Sequence, residues 1–296
     1  MPDYNFNGFI FLPEVSDAIC EALPNGIFGA AAPHLKDSGK GVTKLLSDDY
    51  KKCGMAYPQL NQGNVGSCVA VAAGGGVDQL KITEIANGER SEFKALTCSE
   101  AIYYGARVVM GNNQIRGDGA STSLAIKYIA ERGTIARGKY GNIDISEYSV
   151  DRCRKWGQNS GFPKTLEDIS KDHKIEQYSR VKSYEEIRDS IANNCPVIVG
   201  SSLGYSSTCN NDGIAKQDTE WNHCLRMIGI RADKDLVLVD NTWGPNWNKM
   251  PVRKFNEPLG SFWITADNAD RMAKYDAWSI SSHAGYPLKV NSSVGW

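Results

Sequence analysis

The pattern of apolar and polar positions changes along this chain, from helical segments in its first part to short apolar runs in its last third. A helix is predicted from about residue 68 to 86, because Ser67 is a suitable N-cap and Asn87-Gly88 a suitable stop. Further helices are predicted at four segments, residues 98–109, 119–133, 149–157 and 183–194. Short β-rich runs separated by turn residues follow at 196–203, 224–232, 235–241 and 260–266, and residues 173–181 also have a strand pattern. Helices first and strands later predict an α+β protein with segregated halves.

The longest predicted helix contains three consecutive glycines, Gly74, Gly75 and Gly76. Each costs roughly 1 kcal/mol of helix stability relative to alanine. Such a cost predicts the close approach of another backbone, and therefore a central, buried helix.

The chain is predicted to consist of an N-terminal arm and one two-part domain. Residues 1–57 have scattered Gly and Pro and no regular pattern, which indicates an extended arm over a surface. Residues 58–296 form the domain, with a helical part at about 58–150 and a β-rich part at about 151–296. The first residues include an acid and only a short apolar run, so no secretory signal is predicted. No segment has the roughly 18 apolar residues of a membrane span.

Composition and charge exclude several classes of protein. The 33 Lys and Arg against 34 Asp and Glu give a net charge of −1, which offers no electrostatic footprint for a nucleic acid. A hydrophobic content of 41% with 23% charged residues argues against disorder. The eight cysteines include no CxxC pair, so neither a structural zinc site nor any other metal is predicted. Most of these thiols are predicted to be reduced and buried.

Three distant segments contain side chains that together suit nucleophilic catalysis: residues 61–68, 221–224 and 239–244. A thiolate is the reactive form of cysteine, and a helix N-terminus such as the predicted position of Cys68 favours it. An imidazole such as His223 can take the thiol proton, and a carboxamide can orient the ring or donate to an oxyanion. Cys68 considered alone is more simply a buried thiol at a helix start. The three segments together favour catalysis.

The same segments resemble the active-site motifs of papain-family cysteine peptidases. The run QGNVGSC resembles the segment that ends at the nucleophile, NHCLRMIGI resembles the histidine strand, and DNTWGPNW resembles the Asn-Ser-Trp-Gly segment with Thr242 in place of serine. The separation of Cys68 and His223 is 223 − 68 = 155 residues, near the roughly 130–150 of the family. The resemblance extends over residues 58 to 265. It implies a two-lobed fold in which a helical lobe faces an antiparallel β-barrel-like lobe across an active-site cleft.

The resemblance also implies a role for individual residues. Cys68 would be the nucleophile, His223 the general base and then acid, and Asn241 the residue that orients the imidazole. Gln62 would donate to the oxyanion, and Trp243 would shield the bond between His223 and Asn241 from water. A glycine-rich rim would bind the substrate backbone through Gly117, Asp118 and Gly119. The implied activity is that of a thiol protease acting on peptides or proteins, with no cofactor.

Two positions depart from the family pattern. Val69 replaces the usual aromatic residue after the nucleophile, and Val65 replaces a cysteine, so the disulfide expected at this loop is absent. The missing disulfide fits a reducing compartment or a divergent, non-secreted member of bacterial or phage type. We therefore expect the protein to be cytoplasmic or incorporated in a virion.

Other functions share the same motifs. A weakly active or inactive structural protein of a virion or another large assembly would keep the fold, and the long N-terminal arm motivates this alternative. A cell-wall peptide amidase would keep the triad and change the acceptor. The arm itself, residues 1–57, has two possible roles, as a regulator in the cleft or as a contact with assembly partners. The lack of helical regularity slightly favours the contact.

Overall fold

The computed structural model describes residues 7–89 and 92–281. Its α-helices are α1 (Pro13–Glu21), α2 (Phe28–Ala31), α3 (Asp48–Lys52), α4 (Cys68–Ala86), α5 (Ser99–Tyr104), α6 (Thr122–Arg132), α7 (Val150–Gly157), α8 (Lys164–Ser170), α9 (Tyr184–Ala192) and α10 (Ala266–Ala273). A 3₁₀ turn covers Pro33–Leu35, and a π-helix over Gly105–Met110 continues α5. The predicted helices are therefore confirmed, whereas α1, α2, α3, α8 and α10 were missed.

The strands are β1 (Lys44–Leu45), β2 (Lys139–Tyr140), β3 (Ile143–Asp144), β4 (Gln177–Arg180), β5 (Val197–Cys209), β6 (Ala215–Arg231), β7 (Leu236–Asp240), β8 (Phe262–Thr265) and β9 (Asp276–Ser281). Seven strands form one antiparallel sheet in the order β4-β9-β5-β6-β7-β8, with β1 paired to β6. Strands β2 and β3 form a separate hairpin. The sheet matches the α+β class expected, and the strands of the described residues leave it open rather than closed into a barrel.

Two main hydrophobic cores correspond to the two lobes. One core lies over the sheet and includes side chains from α9, β5, β6, β7 and β8. The other is built on α4 and α6, and it includes Ile198, Trp278 and Ile280 from the sheet. Since strands β5 and β9 contribute to the helical core, the lobes are joined along this face of the sheet.

Helix α4 is central and almost entirely buried, as its glycines predicted. A Cβ at Gly75 would lie 2.8 Å from an Arg226 guanidinium nitrogen, and one at Gly76 would lie 2.6 Å from the Ile198 side chain. The sequence predicted that another backbone would lie against these glycines, and this detail was wrong. The sheet approaches the helix through its side chains, which have the reach to fill the space that missing Cβ atoms leave.

The N-terminal segment is more structured than an extended arm. Strand β1 pairs with β6, and Phe28, Leu35 and Leu46 are buried in the core of the β-rich lobe. These residues have no periodic pattern because each short element contributes only one or two side chains to the core. Residues 1–6 of the predicted arm and 282–296 of the predicted domain lie outside the described residues. No helix in residues 7–89 and 92–281 has the length and hydropathy needed to cross a bilayer.

Candidate active site

Cys68 is the first residue of α4 and is completely buried. Burial raises the pKa of its thiol, and the backbone N–H groups of Val69 and Cys224 oppose that rise. The first of these belongs to the start of the helix, where unpaired N–H groups favour negative charge. The second belongs to β6, at the position directly after His223. The nucleophile candidate is thus next to the strand that contains the imidazole.

His223 and Asn241 form a direct hydrogen bond. The distance from His223 Nε2 to Asn241 Oδ1 is 2.8 Å, and the pair is buried. The indole of Trp243 stacks on the imidazole with ring centroids 4.1 Å apart and planes 27° from parallel. Since the amide oxygen is an acceptor, Nε2 holds the proton in the neutral ring, and Nδ1 is left as an acceptor. Among the described residues, no hydrogen-bond donor reaches Nδ1.

Backbone pairing brings the three distant segments together. Strands β6 and β7 pair Arg226 with Asp240, so Asn241 follows the end of β7 beside His223. The segment before Cys68 forms a bridge with the segment after Asn241: Gln62 N–H donates to Thr242 O at 2.8 Å, and Gly244 N–H donates to Leu60 O at 2.8 Å. The lobes therefore meet at the site through main-chain bonds.

Gln62 lies in this bridge with its side chain fully buried. Its Oε1 accepts the Thr242 hydroxyl at 2.5 Å, and its Nε2 donates to Val65 O at 2.9 Å. These two bonds fix the orientation of the amide. An amide nitrogen has two N–H groups, and the second is the one that an oxyanion would use.

Burial keeps both reactive groups neutral. Burial raises the pKa of the Cys68 thiol to about 12, against the lowering effect of the backbone N–H groups. Burial also lowers the pKa of His223 to about 3, against the raising effect of its bond to Asn241. A thiol and a neutral imidazole are the forms present near pH 7, rather than the reactive ion pair.

The N-terminal segment explains the burial, because residues 7–10 lie in the cleft. Phe9 N–H donates to Asn222 O at 2.7 Å on the sheet side, and Ile10 N–H donates to Ala120 O at 2.9 Å on the helical side. Gly8 lies directly against the sulfur, and a Cβ on it would be 2.6 Å from Cys68 Sγ. This placement corresponds to the role that the sequence ranked second for the arm. We call residues 7–10 the cover segment.

The predicted rim contacts the cover segment only in part. A Cβ at Gly119 would be 3.0 Å from Gly8 O, whereas the same position at Gly117 faces open space. The Asp118 carboxylate accepts the N–H of Gly66 at 2.7 Å. Ala120 makes the backbone bonds on the helical side, and sequence reasoning did not select it. Its side chain has no chemistry to reveal a role that its main chain performs.

Sequence reasoning also missed the Asn222 carbonyl and the pocket for Phe9. The Phe9 ring is buried against β5, where a Cβ at Gly200 would lie 2.2 Å from it. A glycine in a strand often marks a close approach, and this was the available signal. Within the described residues, no group of three or more His, Cys, Asp or Glu side chains is arranged to hold a metal ion.

Comparison with known proteins shows the family of the chain. The sequence profile described as "Papain family cysteine protease" matches residues 47–254. The chain belongs to the papain family of cysteine proteases. It is 26% identical to zingipain-2 of Zingiber officinale over 232 residues, which cover 74% of this chain and 92% of the relative. It is also 26% identical to papaya proteinase 4 of Carica papaya over 212 residues.

That second match covers 69% of this chain and 53% of the relative, so the chain spans about half the length of papaya proteinase 4.

Solved structures of the family share the fold. Xylellain, a cysteine protease from Xylella fastidiosa, superimposes with a TM-score of 0.57 at 18% identity, with 96% of this chain and 95% of xylellain covered. Bromelain from Ananas comosus, solved with the inhibitor E64, has a TM-score of 0.52 at 15% identity, with 81% and 99% covered.

Proposed function

We propose that this chain is a cysteine peptidase that uses Cys68, His223 and Asn241, and that the cover segment keeps it latent. The observation that supports the proposal most is the buried pair of His223 and Asn241, 2.8 Å apart under the Trp243 ring. The backbone N–H of Cys224, the residue directly after His223 on β6, acts on the Cys68 sulfur and opposes the rise in the thiol pKa that burial causes. His223 Nδ1 is left without a hydrogen-bond partner among the described residues, so it is available to take a proton once the cleft opens.

The chemistry follows from the proton positions. When the cover segment leaves, Nδ1 of His223 takes the proton of the Cys68 thiol, and the thiolate attacks the peptide carbonyl carbon. Gln62 and the backbone N–H of Cys68 donate to the resulting oxyanion. The imidazolium gives its proton to the leaving amine, and the acyl-enzyme forms. Water, deprotonated by the same Nδ1, then releases the acid and restores the thiol.

Departure of the cover segment also changes both pKa values. Water reaches the sulfur and the ring, so the desolvation that raises the pKa of Cys68 and lowers that of His223 is reduced. Both values move toward each other, which favours the thiolate–imidazolium pair. The cover segment thus acts twice, because it blocks the substrate and keeps the nucleophile protonated.

Selective alkylation tests this proposal. Iodoacetamide at neutral pH, followed by mass spectrometry, compares Cys68 with the partly exposed thiols of Cys53 and Cys209 in the same chain. We expect slow labelling of Cys68 in the full chain and fast labelling in a variant that lacks residues 1–11. This deletion stops before α1 and leaves that helix intact. The two reference thiols label equally in both proteins. Unchanged labelling of Cys68 in the folded truncated chain contradicts the proposal.

Hydrolysis separates the possible substrates. The truncated chain is expected to cleave an unfolded protein and to be inactivated by E64, whereas Cys68→Ala in that chain removes all turnover. Truncation at residue 55 is not a usable test, because it removes the buried Phe28, Leu35 and Leu46. Cleavage of crosslinked peptidoglycan instead of protein indicates the amidase alternative. A truncated chain that labels slowly and cleaves neither indicates a scaffold that retains the fold, and assembly partners of residues 1–57 are then the next question.

A further inference from the structure

The Asp118 carboxylate connects the rim to the loop that ends at Cys68. Its Oδ2 accepts the backbone N–H of Gly66 at 2.7 Å, and its Oδ1 accepts the hydroxyl of Tyr103 at 2.6 Å. The same hydroxyl oxygen accepts the N–H of Gly119 at 3.0 Å. Gly66 is two residues before the nucleophile. One side chain therefore joins α5, the rim and the catalytic loop.

A buried arginine fixes the rim that holds Asp118. The Arg107 guanidinium is 5% exposed and donates to Gly157 O at 2.9 Å and Gly117 O at 2.8 Å, and also to Gly119 O. These carbonyls lie on both sides of Asp118 and on α7. Guanidinium groups bind several acceptors in a fixed planar geometry. The rim is consequently a rigid support for the carboxylate rather than a mobile loop.

The loop itself has no covalent tie. The eight cysteines, all within the described residues, are unpaired, and Val65 occupies the position where the family resemblance implied a half-cystine. The remaining ties of residues 62–67 include the Gln62 bonds and a bond from Ser67 Oγ to the Tyr148 hydroxyl at 2.8 Å. Two ties of this loop involve a charged side chain: the exposed Arg154 guanidinium donates to Asn64 O and Oδ1, both at 3.0 Å, and the part-buried Asp118 carboxylate holds Gly66, nearer to Cys68 in the chain. Hydrogen bonds to charged groups are the stronger class.

We infer that Asp118 is a positioning residue for the nucleophile, in place of a substrate contact. It holds the Gly66 N–H, and through Gly66 it fixes the turn that places Cys68 at the start of α4 beside His223. This inference rests on the proposed function for its catalytic consequence. It assigns to Asp118 a role different from the substrate-binding role that the sequence implied.

Two substitutions at this position separate hydrogen bonding from charge. Asp118→Ala removes both acceptors. Asp118→Asn keeps two bonds without the charge, since its oxygen accepts the Gly66 N–H and its nitrogen donates to the Tyr103 oxygen. The matched control is Asp151→Ala on α7, whose carboxylate is 96% exposed. The parent and the three variants are prepared as full chains for hydrogen exchange, and without residues 1–11 for kinetics, because the cover segment blocks the substrate in the full chain.

Hydrogen exchange at the Gly66 amide is the first measurement, because it needs no turnover. We expect Asp118→Ala to exchange at least about tenfold faster at Gly66, with the middle of α4 unchanged. Asp118→Asn and Asp151→Ala are expected to stay within about threefold of the parent. If Asp118→Ala does not fold, Tyr103→Phe is used instead, because it removes the hydroxyl that donates to the Asp118 carboxylate. A smaller increase in exchange at the Gly66 amide is then expected. Unchanged exchange at Gly66 overturns the inference.

Steady-state kinetics are the second measurement. For a positioning residue, Asp118→Ala lowers kcat about tenfold or more with KM nearly unchanged, and Asp118→Asn restores kcat. A higher KM at unchanged kcat identifies a substrate contact and overturns the inference. If the parent chain without residues 1–11 cleaves no peptide, the proposed function fails, while the exchange experiment still decides whether Asp118 holds the loop.

Discussion

At the scale of single residues, Phe9 shows how one side chain determines whether the cleft is covered. Its ring is 4% exposed and lies between the lobes, over Gly200 and beside Thr122. Burial of a phenylalanine contributes about 1.5–3 kcal/mol. The backbone bonds of the cover segment can be replaced by bonds to water, whereas the contact of the ring cannot. Phe9 is therefore the main anchor of the segment.

We predict that Phe9→Ala exposes the nucleophile in the full chain. A loss of about 2 kcal/mol of burial increases the population with an open cleft about thirtyfold. The rate of Cys68 alkylation rises by the same factor, because the open form is the one that reacts. The control is Phe11→Ala, whose ring is 38% exposed, and it should change the rate less than about threefold. Equal effects of the two substitutions contradict the anchoring role.

At the scale of elements, the cover segment is a short β-like strand between two edges. Residues 7 and 9 form parallel bridges with Asn222 of β6 and with Ala120 before α6. Main-chain bonds of this kind are independent of side-chain identity. The cover segment is four residues long, so its opening is expected to need less free energy than unfolding of either lobe.

We predict that acid opens the cover segment. The pKa of His223 is about 3 when covered and returns toward 6.5 when water reaches the ring, so the open form binds a proton that the covered form excludes. This titration favours the covered form fully from pH 6.5 up to the ordinary thiol pKa near 8.5, and the covered form loses about 1.4 kcal/mol for each pH unit from 6.5 down to about 3. Hydrogen exchange at the Phe9 amide, corrected for its intrinsic pH dependence, measures this change. His223→Gln lacks the titration, and its opening should not depend on pH between 4 and 7.

The glycines of α4 are a second feature at this scale. We predict that Gly75→Ala lowers the melting temperature, although alanine is the better helix former by about 1 kcal/mol. Its Cβ would lie 2.8 Å from the buried Arg226 guanidinium and 3.0 Å from Leu60. Overpacking of this kind costs about 1–3 kcal/mol. Gly74→Ala is the matched control, because the nearest neighbour of its Cβ is the Ser99 hydroxyl at 3.2 Å. Thermal unfolding compares the melting temperatures of the two variants.

At the scale of the whole molecule, one buried ion pair joins the lobes behind the candidate site. Arg226 is fully buried and pairs with Asp240 at 2.5 Å, and the Tyr57 hydroxyl donates to the same carboxylate at 2.7 Å. The guanidinium also donates to Gly75 O of α4. Asp240 directly precedes Asn241. The pair therefore connects the central helix with the end of β7, where the imidazole is oriented.

We predict that Asp240→Ala destabilises the protein by about 3–5 kcal/mol, because it leaves the Arg226 charge buried without its counter-ion. Denaturant unfolding measures the loss. The control is Asp168→Ala, which removes the partner of Lys171 in a pair that is exposed on both sides, and no measurable change is expected there. A similar small change for both variants contradicts a structural role for the buried pair.

The sequence alone determined the chemistry of the candidate site and the order of the main elements. Cys68 at a helix start and the Asn-His and Asn-Thr-Trp-Gly motifs are local patterns, because capping and strand alternation depend on near neighbours in the chain. The tertiary structure decided what covers the site and what holds it. Three contacts illustrate this: residues 7–10 in the cleft, the bond from Asp118 to Gly66, and the Arg226–Asp240 pair. In the first of them, Phe9 and Asn222 are more than two hundred residues apart in the chain. The first contact depends on how the two lobes pack, and the second on how the rim folds against the loop before Cys68. The third joins neighbouring strands, and it is α4 and Tyr57 that bury it. No local pattern encodes these arrangements.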